Sequence, residues 1–344
     1  MMKWYDEPGD RDSNVIYSRI RLVRNLADYP FPELLDKEKF LELGDYLSKI
    51  VCDAAEKEGI TGQYREEAEL TELQKRALFE RNAINKSLML REKFNGLYLS
   101  EDEKISIAIG GDDHLRIQGI ERGLNLEKCY RRVDALDDRI SEQADYAFDE
   151  KYGYLTAFPT NVGTGLHATV IVHLPMLSKK KNFSSLVADF GRFGTIIRGV
   201  FGEGNENVGS LYQVSNQKTL GQTEKDIVSL VSKAAAELDA QERRLRKEEI
   251  IKRPVLSSDE CFKSYGVLKY ARRLSGKEAI MFLSQIMAGV TDGVLEIGEP
   301  CSIYSLIMRS QAANLLSQLN RPYDKEELEV ERAGYIRAHL PEIH

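Results

Sequence analysis

The chain has no run of about 18 or more apolar residues, so no membrane-spanning helix is expected. It has few cysteines. Cys52, Cys129, Cys261 and Cys301 are widely spaced and form no CxxC pair. Neither a disulfide framework nor a zinc knuckle is expected, and a reducing cytoplasm suits such thiols. There is no basic excess. Lys and Arg total 48 against 55 Asp and Glu, a net charge of -7, which argues against nonspecific binding of nucleic acid through overall charge. There is no internal repeat and no low-complexity tract. The opening MMKWYDEPGDRD lacks the apolar core of a signal peptide, so no leader is expected. Residues 1–14 read as polar and loose. What remains is a 344-residue chain, 42% hydrophobic and 30% charged. That is an ordinary globular composition, long enough for one large domain and one small one.

Residues 36–58 place Phe40, Leu43, Leu47, Ile50 and Val51 at helical spacing. Residues 70–83 read as a second helix. Gly96–Ser100 and Ile105–Ile109 then alternate around the acidic turn Glu101–Lys104, which predicts a β-hairpin. A helix over 132–150 and strands over Ala168–Leu174 and Thr195–Val200 follow. Thr223 to Lys252 reads as a long helix with a threonine cap and an apolar stripe of Ile227, Leu230, Val231, Ala234 and Leu238. Pro254 stops it, and a domain boundary is placed there, giving units 1–253 and 254–344. Residues 255–340 show no strand pattern. Ser257-x-x-Glu260 and Ser275-x-x-Glu278 have the form of capping boxes, and about four helices are expected.

Five segments of the first unit carry chemistry. Ser18-Arg-Ile-Arg-Leu-Val-Arg-Asn25 puts Arg19 and Arg21 two apart, on one face of an extended segment, where two guanidinium forks suit a polyphosphate. A solvated strand face is the plainer reading. Asp112-Asp-His-Leu-Arg116 follows Gly110-Gly111 and could orient a nucleophile and hold a phosphate, or be a polar turn. Phe158-Pro-Thr-Asn-Val-Gly-Thr-Gly165 is a small-residue loop without the lysine of a P-loop. Arg198-Gly-Val-Phe-Gly-Glu-Gly-Asn-Glu206 leaves a strand with enough glycine to form a lid or a simple hairpin. Val214–Glu224 leads into the long helix and reads as a junction.

In this order the segments resemble the ATP:guanido phosphotransferases, nearest to their bacterial protein-arginine kinase branch. SRIRLVRN, DHLRIQ, DYAFDEKYGYLT, PTNVGTG, RGVFGEG, SNQKTLG and SYGVL at Ser264–Leu268 carry the resemblance along essentially the whole chain. It implies an α+β fold: a phosphagen-kinase-like catalytic domain with a largely antiparallel sheet flanked by helices, then a small all-α domain. Metabolite kinases of the family carry an extra helical domain before SRIR. This chain has its helical domain after the catalytic one, the protein-kinase arrangement.

The implied reaction moves the γ-phosphoryl of Mg-ATP onto a protein arginine, in bacterial stress response and protein quality control. The resemblance makes Arg19, Arg21, Arg116 and Arg198 a phosphate clamp. It makes Glu203 and an acid of Asp112-Asp113 the carboxylates that hold the guanidinium and take its proton. It extends the nucleotide contacts over Ser18–Arg21, Asn82, His167–Ile171 and Arg198–Glu203, that is Ser18, Ile20, Asn82, His167, Ala168, Thr169, Val170, Ile171, Gly199, Val200, Phe201 and Gly202 besides the clamp arginines. The metal would arrive with the nucleotide. Arginine-bearing proteins, an activator, protease or chaperone machinery and a second copy of the chain are the implied partners, with no nucleic acid and no membrane. The pattern departs at several places. Asn-Glu-Glu-Asp becomes Gly110-Gly111-Asp112-Asp113, the cysteine before Pro-Thr-Asn becomes Phe158, a strand arginine becomes His167, and a nucleotide-contacting histidine becomes Asn82. The RDxxRA motif of the branch, which binds phosphoarginine, aligns with Leu328–Ala333, where Arg332 and Ala333 match and Glu329 is conservative. These changes keep two other readings open: a degenerate kinase that binds nucleotide or protein, and a free guanidino-metabolite kinase.

Overall fold

The computed structural model describes residues 1–10, 12–90, 94–202, 207–319 and 324–343. Its strands are β1 (Val15–Arg24), β2 (Gly62–Glu66), β3 (Gly96–Ser100), β4 (Ile105–Ile109), β5 (Leu115–Arg122), β6 (Phe148–Asp149), β7 (Gly153–Tyr154), β8 (Leu166–His173), β9 (Thr195–Gly199) and β10 (Leu211–Asn216). The helices of the first part are α1 (Lys37–Lys57), α2 (Glu72–Glu80), α3 (Lys86–Leu90), α4 (Leu126–Ser141), α5 (Phe183–Arg192) and α6 (Glu224–Lys252). They are followed by α7 (Pro254–Tyr270), α8 (Gly276–Thr291), α9 (Ile303–Arg309), α10 (Ala312–Leu316) and α11 (Lys325–His339). Local chemistry sets several of these starts. The Asp36 side chain accepts from Lys39 N at 2.9 Å to open α1. Reciprocal capping boxes open α2 (Thr71/Gln74), α6 (Thr223/Asp226), α8 (Ser275/Glu278) and α11 (Asp324/Glu327). Each such cap contributes about 1 kcal/mol.

Eight strands form one antiparallel sheet in the order β2-β3-β4-β5-β1-β8-β10-β9. Its alternation separates two faces. One carries Ile20, Leu22, Ile107, Ile117, Leu166, Ala168, Val170 and Val214, buried against Leu43 and Leu47 of α1, Val133 and Leu136 of α4, and Val231 and Leu238 of α6. The other face is divided. Towards one end Tyr17, Ile120 and Ile171 join Trp4, Leu283 and Tyr304 in a second core built with the C-terminal helices. Towards the other end, the same face carries arginines.

The helices expected over 36–58 and 223–252, the hairpin and both strands are found near their expected bounds. Four expectations need correction. The helix expected over 132–150 is α4, which starts at Leu126 and ends at Ser141, because Leu126, Cys129 and Tyr130 extend its buried stripe towards the N-terminus. The opening residues are not loose: Trp4 is fully buried and meets the Tyr17 ring at 4.8 Å, edge-on. Ser257 caps nothing, since α7 already begins at Pro254. Beyond Pro254 the described residues form five helices rather than four.

Candidate active site

Register brings the arginines together. Arg21 of β1 lies opposite Gln118 of β5 and His167 of β8. Arg116 lies opposite Val23, and Arg19 opposite Thr169. Directly opposed residues share a face, so Arg19, Arg21, Arg116 and His167 stand side by side. Arg198 has the same face through Gln213 and Ile171. It stands three strands beyond β1, about 14 Å by strand spacing, and is exposed.

Asp112 and Asp113 offset the charge of this group only in part. Arg21 Nε and Arg116 Nε and Nη1 are buried without a hydrogen-bond partner. Burial and the charge of Arg19 pull the Arg21 guanidinium down to about 10. Burial, Arg21 and Arg19 pull Arg116 well below its ordinary value. A buried donor left unpaired costs about 1–3 kcal/mol, so a site of this kind is built for an anion that supplies the missing acceptors. A polyphosphate fits that donor set. His167 adds no charge. Burial and the three arginines draw its pKa down to about 3, and its Nε2 lies 2.7 Å from Asn161 Oδ1. Among the described residues no cluster of three or more His, Cys, Asp or Glu is arranged to hold a metal ion.

Beside the arginines is a cavity of about 210 Å³, lined by Arg21, Arg116, Asp112, Asp113, Leu88 and Phe158 among others. The two acids differ. Asp113 Oδ1 accepts from Asn25 Nδ2 and from Ala157 N, each at 2.6 Å. Burial pushes its carboxyl up, Asp112 adds to this, and these hydrogen bonds oppose it. Asp113 therefore ties the end of β1 to the loop before Phe158. Asp112 Oδ1 accepts from Ser87 Oγ at 3.0 Å and faces the cavity. Gly110 is in the left-handed region at φ +71°, and a Cβ there would meet Asn95 Oδ1 at 1.9 Å.

The other expected contacts divide into lining and scaffold. Ile20, Ala168 and Val170 point into the helix-side core, away from the arginine surface, and Ile171, on the same sheet face as the arginines, is covered by the C-terminal core. Ser18 Oγ donates to Gly123 O and accepts from Asn125 N at the start of α4. Val200 and Phe201 pack against the C-terminal core. Gly199 sits against Asn207, and Gly202 is exposed. Thr169 lies beside Arg19. Asn82 has φ +63°, and its carbonyl accepts from Gln118 Nε2 at 2.6 Å. Glu203 lies outside the described residues. His114 is structural: Nδ1 accepts from Leu26 N and Nε2 meets Pro30 O, both at 2.9 Å.

Sequence reading missed the holders of these groups. Arg24 is fully buried, reaches Asp137 at 2.7 Å, donates to Thr164 O at 2.9 Å and stacks on Tyr154 at 3.6 Å. Asn25 grips Asp113 and accepts from His114 N. Both lie in SRIRLVRN, beside the residues singled out. The glycine loop is also scaffold: Thr164 N donates to Thr219 O, and a Cβ on Gly163 would meet that carbonyl at 2.4 Å. In the C-terminal helices, Arg332 donates to Ser310 O and Leu274 O at 2.9 Å each, and Glu329 accepts from Arg273 at 2.6 Å.

Comparison with known proteins assigns this arrangement. Residues 45–245 match the family profile of the ATP:guanido phosphotransferase C-terminal catalytic domain, and residues 254–344 match that of the protein-arginine kinase McsB C-terminal domain. The chain belongs to the ATP:guanido phosphotransferase family, in its protein-arginine kinase branch. A protein-arginine kinase from Halothermothrix orenii is 35% identical over 338 residues, 98% of this chain and 96% of the relative. One from Clostridium acetobutylicum is 35% identical over 346 residues, 99% of this chain and 100% of the relative. Among solved structures, the duplicated taurocyamine kinase of Schistosoma mansoni, described with bound transition state analog components, superposes with a TM-score of 0.57 at 26% identity. The match covers 65% of this chain and 32% of that duplicated one. The antiparallel sheet with its arginine face is thus the sheet of a guanidino kinase. Among the described residues no helix is long and apolar enough to cross a membrane.

Proposed function

We propose that the protein transfers the γ-phosphoryl group of ATP, brought in as its Mg²⁺ complex, to a guanidino nitrogen of arginine side chains in proteins. The observation that carries this reading is the set of unpaired, buried guanidinium N–H groups on Arg21 and Arg116 beside a carboxylate-lined slot. Arg19, Arg21 and Arg116 take the phosphate oxygens. They neutralise the charge that spreads over the equatorial oxygens as the γ-phosphorus leaves the β-oxygen of ADP. The incoming guanidinium, with a pKa above about 12, is a poor nucleophile. Asp112, with Glu203 from the glycine-flanked segment, holds it through paired N–H···O bonds and accepts the proton released as the N–P bond forms. Arg198 closes the clamp from the sheet edge, and Asp113 holds the loop rather than the substrate. The C-terminal unit pairs two copies and receives protein substrates. The activity marks proteins for a cytoplasmic quality-control system with its own activator and protease or chaperone.

The test is incubation of the purified chain with Mg-ATP and either an arginine-rich protein or free arginine. Acid-labile phosphate on the protein supports the proposal, and phosphate on free arginine alone makes the enzyme a metabolite kinase. A second reading, a degenerate kinase that binds without transferring, is favoured by one observation: the neutral His167 leaves a position in the arginine face without charge. Nucleotide binding with no phosphoarginine on either substrate would establish it.

A further inference from the structure

We propose that Phe158 is the platform on which the substrate guanidinium stacks, so that an aromatic face, together with Asp112, makes this slot selective for arginine. The inference rests on the function proposed above and adds a specificity-determining residue to it. The slot of about 210 Å³ is smaller than the roughly 300–1,000 Å³ of a pocket that encloses a whole small ligand. It has room for one side chain entering from a protein. Its lining has two chemistries. Asp112, Asp113, Arg21 and Arg116 are its ionisable members, and Val23, Leu88 and Phe158 supply an apolar wall. Phe158 is the only aromatic among the described lining residues and is 49% exposed. It belongs to none of the three apolar cores, so the fold does not use its ring for burial.

The backbone around that ring is nevertheless pinned. Asp113 Oδ1 accepts from Ala157 N at 2.6 Å, and the Phe158 carbonyl accepts from Thr156 Oγ1 and from Asn161 N, each at 2.9 Å. An exposed phenyl on a fixed turn, beside a carboxylate, is the arrangement that suits a guanidinium. The planar, weakly hydrated cation lays its face on the ring while its edge donates to the acid, whereas a compact, strongly hydrated ammonium fits this arrangement poorly. Gly111 helps to shape the opening. A Cβ there would meet Leu88 Cδ2 at 2.9 Å, so the absence of a side chain lets Leu88 reach the wall.

The experiment compares Phe158→Leu, which keeps apolar bulk without a π face, with Phe158→Trp, which restores one. A peptide bearing a single arginine, and its lysine counterpart, are titrated calorimetrically onto the full chain in the presence of Mg-ADP. Transfer kinetics with Mg-ATP are measured in parallel. Phe158→Leu should weaken binding of the arginine peptide about 3- to 10-fold, the range of a partly desolvated cation–π contact, and raise KM in proportion. It should leave nucleotide affinity and lysine-peptide binding unchanged, and Phe158→Trp should recover the loss. Unchanged arginine-peptide binding in Phe158→Leu, or an equal loss for both peptides, would overturn the stacking role. Absence of phosphotransfer in the wild type would instead overturn the proposed function, and the binding comparison would still decide this one.

Discussion

Arg116→Met separates what the arginine face does for the ligand from what it does to the fold. Methionine keeps the unbranched stem of Arg116 on β5 and removes the guanidinium. Two buried, unpaired N–H groups disappear with it, and each costs the ligand-free protein about 1–3 kcal/mol. One hydrogen bond is lost, from Arg116 Nη2 to Gln118 Oε1 at 3.2 Å, worth about 1.5–3 kcal/mol for a charged donor. Repulsion from Arg19 and Arg21 is also relieved. A base whose pKa is lowered by folding, as that of Arg116 is, opposes folding at every pH below its folded value. The balance predicts a ligand-free variant about 1–3 kcal/mol more stable than wild type, a rise of about 1–4 °C in Tm. Nucleotide binding should move the other way. Loss of charge-assisted bonds worth about 1.5–3 kcal/mol raises the Kd for Mg-ATP about 10- to 150-fold. Scanning calorimetry without and with saturating Mg-ATP, alongside titration calorimetry, reads both effects. The advantage of the variant in melting temperature should shrink or reverse when nucleotide is added. A variant that melts below wild type without ligand, yet binds Mg-ATP with wild-type affinity, would refute the assignment of this face to polyphosphate.

Three further outcomes are expected. Asp112→Asn should lower phosphoarginine formation about 100-fold or more at unchanged nucleotide affinity. Asp112→Glu should raise it if reach limits the reaction, and equal rates for all three forms would remove Asp112 from the chemistry. Glu203→Gln, expected from the RGVFGEG motif, should likewise cut transfer about 100-fold while the Kd for Mg-ATP holds; wild-type turnover would clear that residue of a role. His167 is held at about 3 when folded, against about 6.5 when unfolded, so the unfolded chain takes a proton that the folded one refuses. Stability is therefore lost as pH falls below about 6.5, and His167→Gln should lose less between pH 7 and 4.5 in urea midpoints, whereas an identical loss would exclude the histidine as a source of acid sensitivity.

Short-range signals were legible before any fold was known. The caps at Thr223 and Ser275, the stripe of the helix from residue 224 and the alternation around Glu101–Lys104 are properties of neighbours in the chain, and each formed as expected. Where such a signal competed with packing, packing won. Ser257-x-x-Glu260 has the form of a cap but lies inside a helix already begun at Pro254. Trp4, in a polar stretch, is fully buried because Tyr17 and Tyr304, far apart in sequence, present their rings to it.

The site divides in the same way. Two arginines spaced by one residue declare a shared face, and the sequence by itself determined that much, together with the ATP:guanido motifs and the residues at which they depart. Only the tertiary structure decided which motif residues face the ligand. Arg21 reaches the arginine face while Arg24 of the same motif is buried against Asp137, because strand alternation and a long-range carboxylate direct them oppositely. Asp112 and Asp113 are adjacent in sequence and cannot be told apart there. Asn25 and the Ala157 backbone, 88 and 44 residues from Asp113, take its carboxylate as a strut and leave Asp112 facing the slot. Roles that depend on such distant hydrogen-bond partners are a property of the folded chain, since local sequence encodes which groups are available and folding determines which partners each of them meets.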